Sequence, residues 1–504
     1  MTLPKISFVK GQGGLGRTLP GEDYISGFIF YNASTPSGFA TNKIQKVLST
    51  TDAKNLGITN DNSDATSASA TLTFSSGFTS SFAIYVKDYT STGFQTTNVY
   101  LGTFSPYNIP VDDATACAQM INAYGFNKWT ATSSGATVTL YAPKSYGEYP
   151  NGDSVEIEFA YYADNTLITK TEFTGGVGSK FGYYYYQIEE FFRLQPNGVL
   201  YISWNSIPTT YFATEILSIQ QYAEGKIRQL AVLVDAKNSI TTADVLALNN
   251  AIVATEDTFG VSFSALYSVN LTQSLSTLPN LGSITANKVS VVIGQGLSGK
   301  ALALTNATGK SVPALGTALG TLALSNVAED IAWVGKYNLS NGTELETAGF
   351  QTYENVKNVS IQLLEQLNGF RYVYLRKFIG VAGTFFNDSN CAVGVDSDYA
   401  YIENNRTIDK AIRQVKTALF PELNSPITLN ANGTLADTTL AHLKGLCNGT
   451  LENMVRNNEL SAYEVGISDS QDVLSTSTIN IVITLIPKGV ARQIVVNIGF
   501  STKL

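Results

Sequence analysis

The chain has 504 residues, of which 44% are hydrophobic and 11% aromatic, so it carries enough apolar surface to fold rather than remain disordered. Charged residues make up only 14%, and 32 basic against 40 acidic side chains give a net charge of -8, which excludes a strongly basic protein that coats nucleic acid. We therefore predict about three folded domains and no direct nucleic-acid partner.

Cysteine spacing and hydropathy exclude further classes of protein. Cys117, Cys391 and Cys447 are far apart and lack the spacing of a zinc cluster, so we expect buried free thiols and neither a metal site nor a cofactor. The first residues lack the pattern of a signal peptide, and no run of about 18 apolar residues occurs. These features predict a protein that folds in the cytoplasm and does not insert into a membrane.

Residues 1–20 are predicted to form an arm and linker. Ile6 and Phe8 alternate with polar residues, as in a short strand, and a glycine-rich stretch follows them. A core-proximal domain is expected to start over 21–62, with a strand in the aromatic segment 24–31.

Two glycine motifs resemble nucleotide-binding loops without completing them. Gly11, Gly13 and Gly16 spell GxGxxG, but the following RTLPGED lacks the apolar period of the helix that a dinucleotide site needs. The segment Gly294–Lys300 reads GQGLSGK after an apolar strand, yet Ala301 stands where a hydroxyl would bind magnesium. We favour glycine turns at both places, and a nucleotide-binding enzyme using Gly294–Lys300 is the alternative hypothesis.

Residues 63–178 are predicted to form an inserted, mostly β domain. Its serine- and threonine-rich start is interrupted by apolar residues at even spacing, and further strands are expected near 136–141 and 154–162. The tyrosine run 183–186 that follows is predicted to be a strand with one face in a protein interface. The tyrosine-rich β insert suggests a carbohydrate-binding surface protein as a third hypothesis.

Residues 179–349 are predicted to form an α/β middle domain. Apolar runs near 198–204, 229–235 and 289–294 have the pattern of buried strands, and 242–255 that of a helix capped by Thr241 or Thr242. Strands that alternate with helices favour a mixed α/β layer covered on both faces.

Catalytic candidates are few, so we expect a protein that is not an enzyme. His442 is the only histidine and lies among leucines, which favours a packed helical position over a catalytic triad. The carboxylate pairs could serve acid–base chemistry, but strand neighbours face opposite ways and loop carboxylates are usually solvated; these pairs are Glu189 with Glu190 and Asp396 with Asp398.

Residues 350–487 are predicted to contain a strand near 371–379, two helices and a closing strand. The helix expected over 407–420 has one apolar stripe that includes Ile412, and it leaves Lys410, Arg413 and Lys416 on the opposite face. These three cations are predicted to be solvated or to meet an acidic partner.

The last residues form the most informative pattern. Apolar side chains alternate up to Leu485, a break follows at 487–489, and a second strand is predicted with one apolar face formed by Ile494, Val496, Ile498 and Phe500. Such a strand must be covered by its own sheet or by a neighbour's sheet. We expect residues 488–504 to be an arm that joins copies head to tail.

The last third of the chain contains, in order, RYVYLRKFIGVAGTFFNDSNCAVGVDSDYAYIENNRTIDKAIRQVKTALFPELNSPI, LAHLKGLCNGTLENMVRNNELSAYEV and STINIVITLIPKGVARQIVVNIGF. This order of a strand, a helix pair, a strand ending in proline and a last strand resembles the core domain of contractile phage tail sheath proteins. The preceding VPALGTALGTLALSNVAEDIAWV is similar to the stretch ahead of that core, and VTLYAPKSYGEYPNGDSVEI resembles β domains that decorate tail proteins.

The resemblance implies an α+β, multidomain fold: a mixed α/β sheath core built from both chain termini, an inserted mostly-β domain and extended terminal arms. It also implies a virion protein, assembled in the host cytoplasm, that stacks as hexameric rings around a tail tube and contracts. Its partners would be itself, the tail tube protein, and baseplate and tail terminator proteins. Ile6 and Phe8 would belong to one inter-subunit arm, 488–504 to the other, and Lys410, Arg413 and Lys416 could face the tube.

Overall fold

The computed structural model describes residues 23–77, 81–88, 97–125, 128–159 and 167–500. The predicted arm with Ile6 and Phe8 and the GxGxxG motif lie outside these residues. The strands, in chain order, are β1 Ile25–Tyr31, β2 Ile44–Val47, β3 Ser69–Phe74, β4 Phe82–Asp88, β5 Thr97–Phe104, β6 Thr130–Ser134, β7 Thr137–Tyr141, β8 Glu156–Phe159, β9 Ile168–Lys170, β10 Val199–Asn205, β11 Gln229–Val234, β12 Ser264–Val269, β13 Val289–Val292, β14 Gly294–Gly296, β15 Ala348–Phe350, β16 Tyr372–Val373, β17 Leu375–Arg376, β18 Phe385–Phe386, β19 Leu460–Gly466 and β20 Val482–Pro487. The α-helices are α1 Thr50–Asn55, α2 Pro110–Tyr124, α3 Gly182–Leu194, α4 Ala213–Tyr222, α5 Thr242–Phe259, α6 Gly299–Thr308, α7 Leu315–Leu324, α8 Ile361–Gly369, α9 Ile402–Leu419, α10 Asp437–Arg456 and α11 Val473–Thr476.

The main body is built on a seven-stranded sheet in the order β16-β13-β12-β11-β1-β10-β2. Its strands pair in parallel except for β2, which lies antiparallel to β10 at one edge. Every residue of β11 and β12 is buried, as expected for strands covered by helices on both faces. Because β16 pairs with β13, this sheet continues across the domain boundary expected between residues 349 and 350.

Several elements of the main body were predicted from the sequence. The strands expected near 198–204 and 229–235 are β10 and β11, and the helix expected from Thr242 is α5. The Thr241 hydroxyl accepts a hydrogen bond from the Asp244 amide at 3.1 Å, so Thr241 is the N-cap residue. The strand expected over 371–379 is instead divided into the short strands β16 and β17.

The tyrosine run was predicted to be a strand and is the start of helix α3. All four side chains, 183–186, are buried in the main core. Helix α3 packs closely on α7 because Gly316 lacks a side chain: a Cβ there would lie 2.1 Å from the Gln187 carbonyl oxygen. This close packing of two helices buries both faces of the run, so the prediction of a strand with one exposed contact face is wrong.

Residues between β3 and β9 form a separate β unit. A four-stranded sheet, β6-β7-β3-β9, and a three-stranded sheet, β5-β4-β8, enclose a hydrophobic core together with α2. Strand β3 alternates buried and partly exposed residues, which explains the even spacing of apolar residues in its sequence. Thr66 and Val177 exchange backbone hydrogen bonds of 2.9 and 3.0 Å, so the chain enters and leaves this unit at adjacent positions.

The last part of the chain forms a smaller unit beside the main body. Helices α9 and α10 pack on a hairpin in which β19 and β20 pair antiparallel. Its core includes Leu451, Met454 and Leu460, with Ile483 and Leu485 of β20 partly buried against them. The described chain is therefore a mixed α/β, multidomain protein with several sheets. None of its described helices is long and apolar enough to cross a membrane.

Candidate functional site

The segment after β20, here called the arm segment (residues 488–500), has no regular secondary structure. The apolar side chains of residues 494, 495, 496, 498 and 500 are at least 69% exposed. The second strand predicted from their alternation is not formed within this chain, although its apolar face is present and open to solvent. A row of exposed apolar side chains of this kind is unusual on a folded subunit and marks a contact surface.

The hairpin next to the arm segment has free edges. Strands β19 and β20 pair only with each other among the described residues, so each carries one edge of unpaired backbone groups. Ile483 and Leu485 face the core, whereas Val482 and Ile486 on the other face are 66% and 55% exposed. A two-stranded sheet with an open face is marginal alone and accepts further strands.

The base of the arm segment is held on the main body by Arg492. Its guanidinium meets three carboxylates, here called the acidic triad (Asp330, Asp388 and Glu403), at 3.2, 2.9 and 2.5 Å. The Ser389 hydroxyl lies 3.2 Å from the same group. These contacts leave only 27% of the Arg492 side chain exposed.

Burial and charge shift the pKa values at this anchor. Burial, and then the neighbouring Glu403 and Asp388 carboxylates, raise the pKa of Asp330 to about 7, even though Arg492 opposes the shift. Burial would lower the pKa of Arg492, but the three carboxylates outweigh it and raise the pKa above its usual value. The guanidinium also lies 3.4 Å from the centroid of the Tyr401 ring, a cation–π contact.

Two of the three cations predicted to be solvated or tube-facing, Lys410 and Arg413, are engaged within the chain instead. Lys410 is only 5% exposed and pairs with Asp23 at 2.5 Å and Glu459 at 2.6 Å, and Arg413 reaches Asp23 at 3.1 Å. Burial alone would raise the pKa of Asp23, but Lys410 and Arg413 lower it below its usual value. Burial and the nearby Arg228 lower the pKa of Arg413 to about 10.

The third predicted cation, Lys416, is exposed, and its ammonium group donates to the Gly260 carbonyl oxygen at 2.7 Å at the end of α5. Ile412, on the stripe predicted to face the core, is 46% exposed. The prediction of an exposed basic face is wrong for Lys410, because the first half of α9 lies between the main body and the smaller unit. Charged residues that form buried ion pairs have the same spacing in the sequence as charged residues on a solvated helix face, so the spacing alone does not distinguish the two.

The Gly294–Lys300 segment runs from strand β14 through a short turn into the first residues of α6, and a carboxylate of the same chain lies at the start of that helix. The Lys300 amide donates to both oxygens of Glu344, at 2.9 and 3.1 Å. Gly299 has a φ of +63°, and a Cβ there would lie 2.6 Å from the Glu344 carboxylate. The positive helix end that would hold a phosphate therefore already holds an internal anion. The Lys300 ammonium pairs with Glu189 at 2.7 Å.

The remaining chemical candidates have structural partners or lie on the surface. His442 is on helix α10, but it is exposed and 2.9 Å from Glu422, so the predicted packed position is wrong. Glu190 pairs with Arg193, and the loop carboxylates Asp396 and Asp398 are exposed. The three cysteines are buried free thiols, as predicted. Within the described residues no group of histidine, cysteine and carboxylate side chains could hold a metal ion.

Sequence analysis did not identify Arg492 or the acidic triad. The triad residues are separated by up to 73 positions and become neighbours only in the fold. The one available signal was a single arginine beside an otherwise apolar terminal strand.

These features define a multidomain, mixed α/β protein that presents an apolar arm and a hairpin with free edges. A family model described as the DUF2586 N-terminal domain matches residues 3–390, and one described as the DUF2586 C-terminal domain matches residues 398–504. The chain therefore belongs to the DUF2586 family. No curated protein matches the chain.

Solved structures similar to this chain include three sheath proteins, the class that the quoted sequence segments resemble. The helical sheath of the anti-feeding prophage in its contracted state is 17% identical over 63% of this chain and 81% of that chain, with a TM-score of 0.45. The sheath complex of the extracellular contractile injection system PVC, also contracted, is 14% identical over 64% and 81%, with a TM-score of 0.41. A sheath tail protein from Listeria innocua is 9% identical over 94% and 96%, with a TM-score of 0.42.

Proposed function

We propose that this chain is a structural subunit of a contractile tail sheath. It polymerises as stacked hexameric rings around a tail tube and contracts to drive the tube through the envelope of a target cell. The observation that carries the proposal is the arm segment, whose alternating apolar side chains are exposed and unpaired on the isolated chain.

The arm segment and the hairpin supply the two halves of a repeating contact. An extended arm that adds to a free edge of β19 or β20 satisfies its own backbone groups and covers apolar side chains of the hairpin face. Donor and acceptor are different surfaces of one chain, so each copy can bind the next without closing a dimer. Repeated contacts of this kind build an open helical stack, as a sheath requires.

The proposed partners follow from this role. They are further copies of the chain, a tail tube protein, and baseplate and tail terminator proteins at the two ends of the stack. The subunit is part of a virion or a related injection particle, is assembled in the host cytoplasm, and acts through assembly contacts rather than catalysis. Energy for contraction is stored in a metastable arrangement of subunit contacts, so no bound fuel is needed. Ile6 and Phe8 belong to the second inter-subunit arm.

Deleting residues 494–504 tests the proposal. The shortened chain should remain a folded monomer, because residues 494–500 are exposed on their own subunit, and its melting temperature should stay within about 3 °C of the full chain. Negative-stain microscopy should show striated tubes for the full chain and dispersed particles for the shortened one. Tubes of normal length from the shortened chain would rule out the arm as the assembly contact.

A matched pair of substitutions distinguishes strand addition from nonspecific hydrophobic association. Val495 and Val496 are 72% and 69% exposed but point to opposite faces of an extended strand. Val496 shares its face with Ile494, Ile498 and Phe500, so Val496→Lys should abolish tubes, whereas Val495→Lys should leave them intact. Equal effects of the two substitutions would contradict the proposed strand.

A further inference from the structure

We propose that Arg492 and the acidic triad form an anchor that fixes the point at which the arm segment leaves its own subunit. Of the arm segment, residues 493–500 are then free to pair with a neighbour. The consequence for assembly rests on the proposed function, whereas the anchor itself is a property of the single chain.

The site is built by the folded subunit. Asp330 follows α7, Asp388 follows β18, and Glu403 lies in the first turn of α9, so three separate elements must be in place to form it. The triad residues are 2 to 8% exposed, and each accepts a hydrogen bond from its surroundings. The Ala332 amide donates to Asp330 at 2.8 Å. The Ser389 amide donates to Asp388 at 2.8 Å, and the Ser389 hydroxyl donates to Glu403 at 2.5 Å.

The chemistry of the site matches a guanidinium more closely than an ammonium. Nε of Arg492 donates to Asp388, and Nη2 lies within hydrogen-bond distance of Glu403 and Asp330, so separate nitrogens of the planar group are used. Tyr401 covers the flat face of the guanidinium, and Arg371 lies 4.7 Å from the centroid of that same ring. A lysine could pair with one carboxylate but could not reproduce the fork and the stacked face together.

The anchor shortens the free part of the arm. The eight residues 493–500 span at most about 26 Å when extended, whereas the 13 residues of the whole arm segment would span about 43 Å. A shorter free arm with a fixed starting point can pair with a neighbouring sheet in fewer registers. It also lowers the entropy that the arm loses when it binds.

Limited trypsin digestion of the unassembled full-length chain tests the anchor without requiring tubes. Trypsin must take up an arginine side chain to cut after it, so an anchored Arg492 is cut only when it leaves the triad. Cleavage after Arg492, followed by mass spectrometry, should be roughly tenfold or more faster in Asp388→Asn/Glu403→Gln than in the unmodified chain. The matched control is Glu452→Gln, which alters an exposed ion pair with Arg456 and should leave the rate unchanged.

Equal cleavage rates in the unmodified chain and the triad variant would overturn the anchor. Circular dichroism checks that the variant is folded; if it is not, Arg492→Lys replaces it, because trypsin also cuts after lysine and the anchor should hold lysine less firmly.

In the assembly assay, Arg492→Ala keeps every residue that pairs with a neighbour and should form tubes only at roughly tenfold higher protein concentration. Loss of tubes on deleting 494–504 tests the proposed function separately, since that deletion leaves Arg492 in place.

Discussion

At the scale of single residues, two paired cations lie where parts of the chain meet. Lys410 joins the start of the main body to the hairpin through Asp23 and Glu459, and Arg492 joins the arm segment to the main body. Charged groups at such depth are costly unless they are paired, so these contacts also define which parts must meet. The low fraction of charged residues in the sequence is consistent with large contact surfaces.

The raised pKa of Asp330 predicts how stability depends on pH. A carboxyl whose pKa is about 7 in the folded state and near 3.8 when unfolded binds its proton more tightly after folding. The folded state therefore loses stability as pH rises from about 4 to 7, by an amount on the order of a few kcal/mol. Asp330→Asn removes this titration while keeping an oxygen that can accept from the Ala332 amide.

Urea unfolding of the unmodified chain and Asp330→Asn at pH 5, 6, 7 and 8 checks this prediction. The free energy of unfolding of the variant, relative to the unmodified chain, should rise between pH 5 and 7 and level off above pH 7. Glu452→Gln, at an exposed ion pair, should follow the unmodified chain throughout. Parallel curves for Asp330→Asn and the unmodified chain would show that Asp330 has an ordinary pKa.

At the scale of elements, the start of helix α6 resembles a phosphate loop in sequence but binds a carboxylate of its own chain. Its first amides hold the Glu344 carboxylate, and burial raises the pKa of that carboxyl despite the Lys300 amide. Glu344→Ala should lower the free energy of unfolding by about 1–2 kcal/mol, because a buried helix end loses its partner. Glu344→Gln keeps one acceptor and should cost less, while Glu346→Ala, at a more exposed neighbour, should stay within about 0.5 kcal/mol.

Calorimetric titration with ATP and magnesium addresses the alternative hypothesis at the same element. The unmodified chain should release no binding heat at millimolar nucleotide, because Glu344 occupies the helix end and Lys300 is paired with Glu189. Saturable heat that disappears in Lys300→Ala would instead support a nucleotide site at Gly294–Lys300.

The elements that could be predicted from the sequence carry their signal within a short window. Strands β10 and β11 are short, continuous apolar runs typical of fully buried strands, helix α5 is a longer apolar-periodic segment, and the Thr241 cap is a local signal. The tyrosine run 183–186 failed because burial on all sides leaves no period to separate a strand from a helix. Ile412 was expected in the core and is exposed, whereas Lys410 was expected in solvent and is buried. The sequence could not show this, because ion pairs at a junction depend on residues far away in the chain.

The candidate site could be predicted only in part, because only part of it has a pattern within a short stretch of sequence. The alternation of the last residues identified the apolar face of the arm segment, since period and composition are local properties. The anchor that holds it required three carboxylates from distant positions, and their meeting depends on the packing of α7, β18 and α9. Tertiary contacts of this kind have no pattern within any short window of sequence.

At the scale of the whole molecule, the β unit between β3 and β9 is attached through a narrow connection. Its core is separate from that of the main body, and Thr66 and Val177 form a backbone bridge where the chain enters and leaves it. Further contact with the main body is made by the Glu148 amide, which donates to the Ala307 carbonyl oxygen at 2.9 Å. The unit therefore contributes few of the contacts that hold the main body together.

Replacing residues 67–176 with Asn-Gly should leave a folded main body. The hydrogen-bonded pair of Thr66 and Val177 has the geometry that a two-residue hairpin turn closes, and the melting temperature should change by less than about 5 °C. Residues 63–178 expressed alone should melt in a single cooperative transition, because they enclose their own core. Since the arm segment and the hairpin lie outside the excised residues, the shortened chain should still form tubes, with a thinner wall in negative stain. Aggregation of the shortened chain, with no cooperative melting of the isolated unit, would mean that the two cores fold as one.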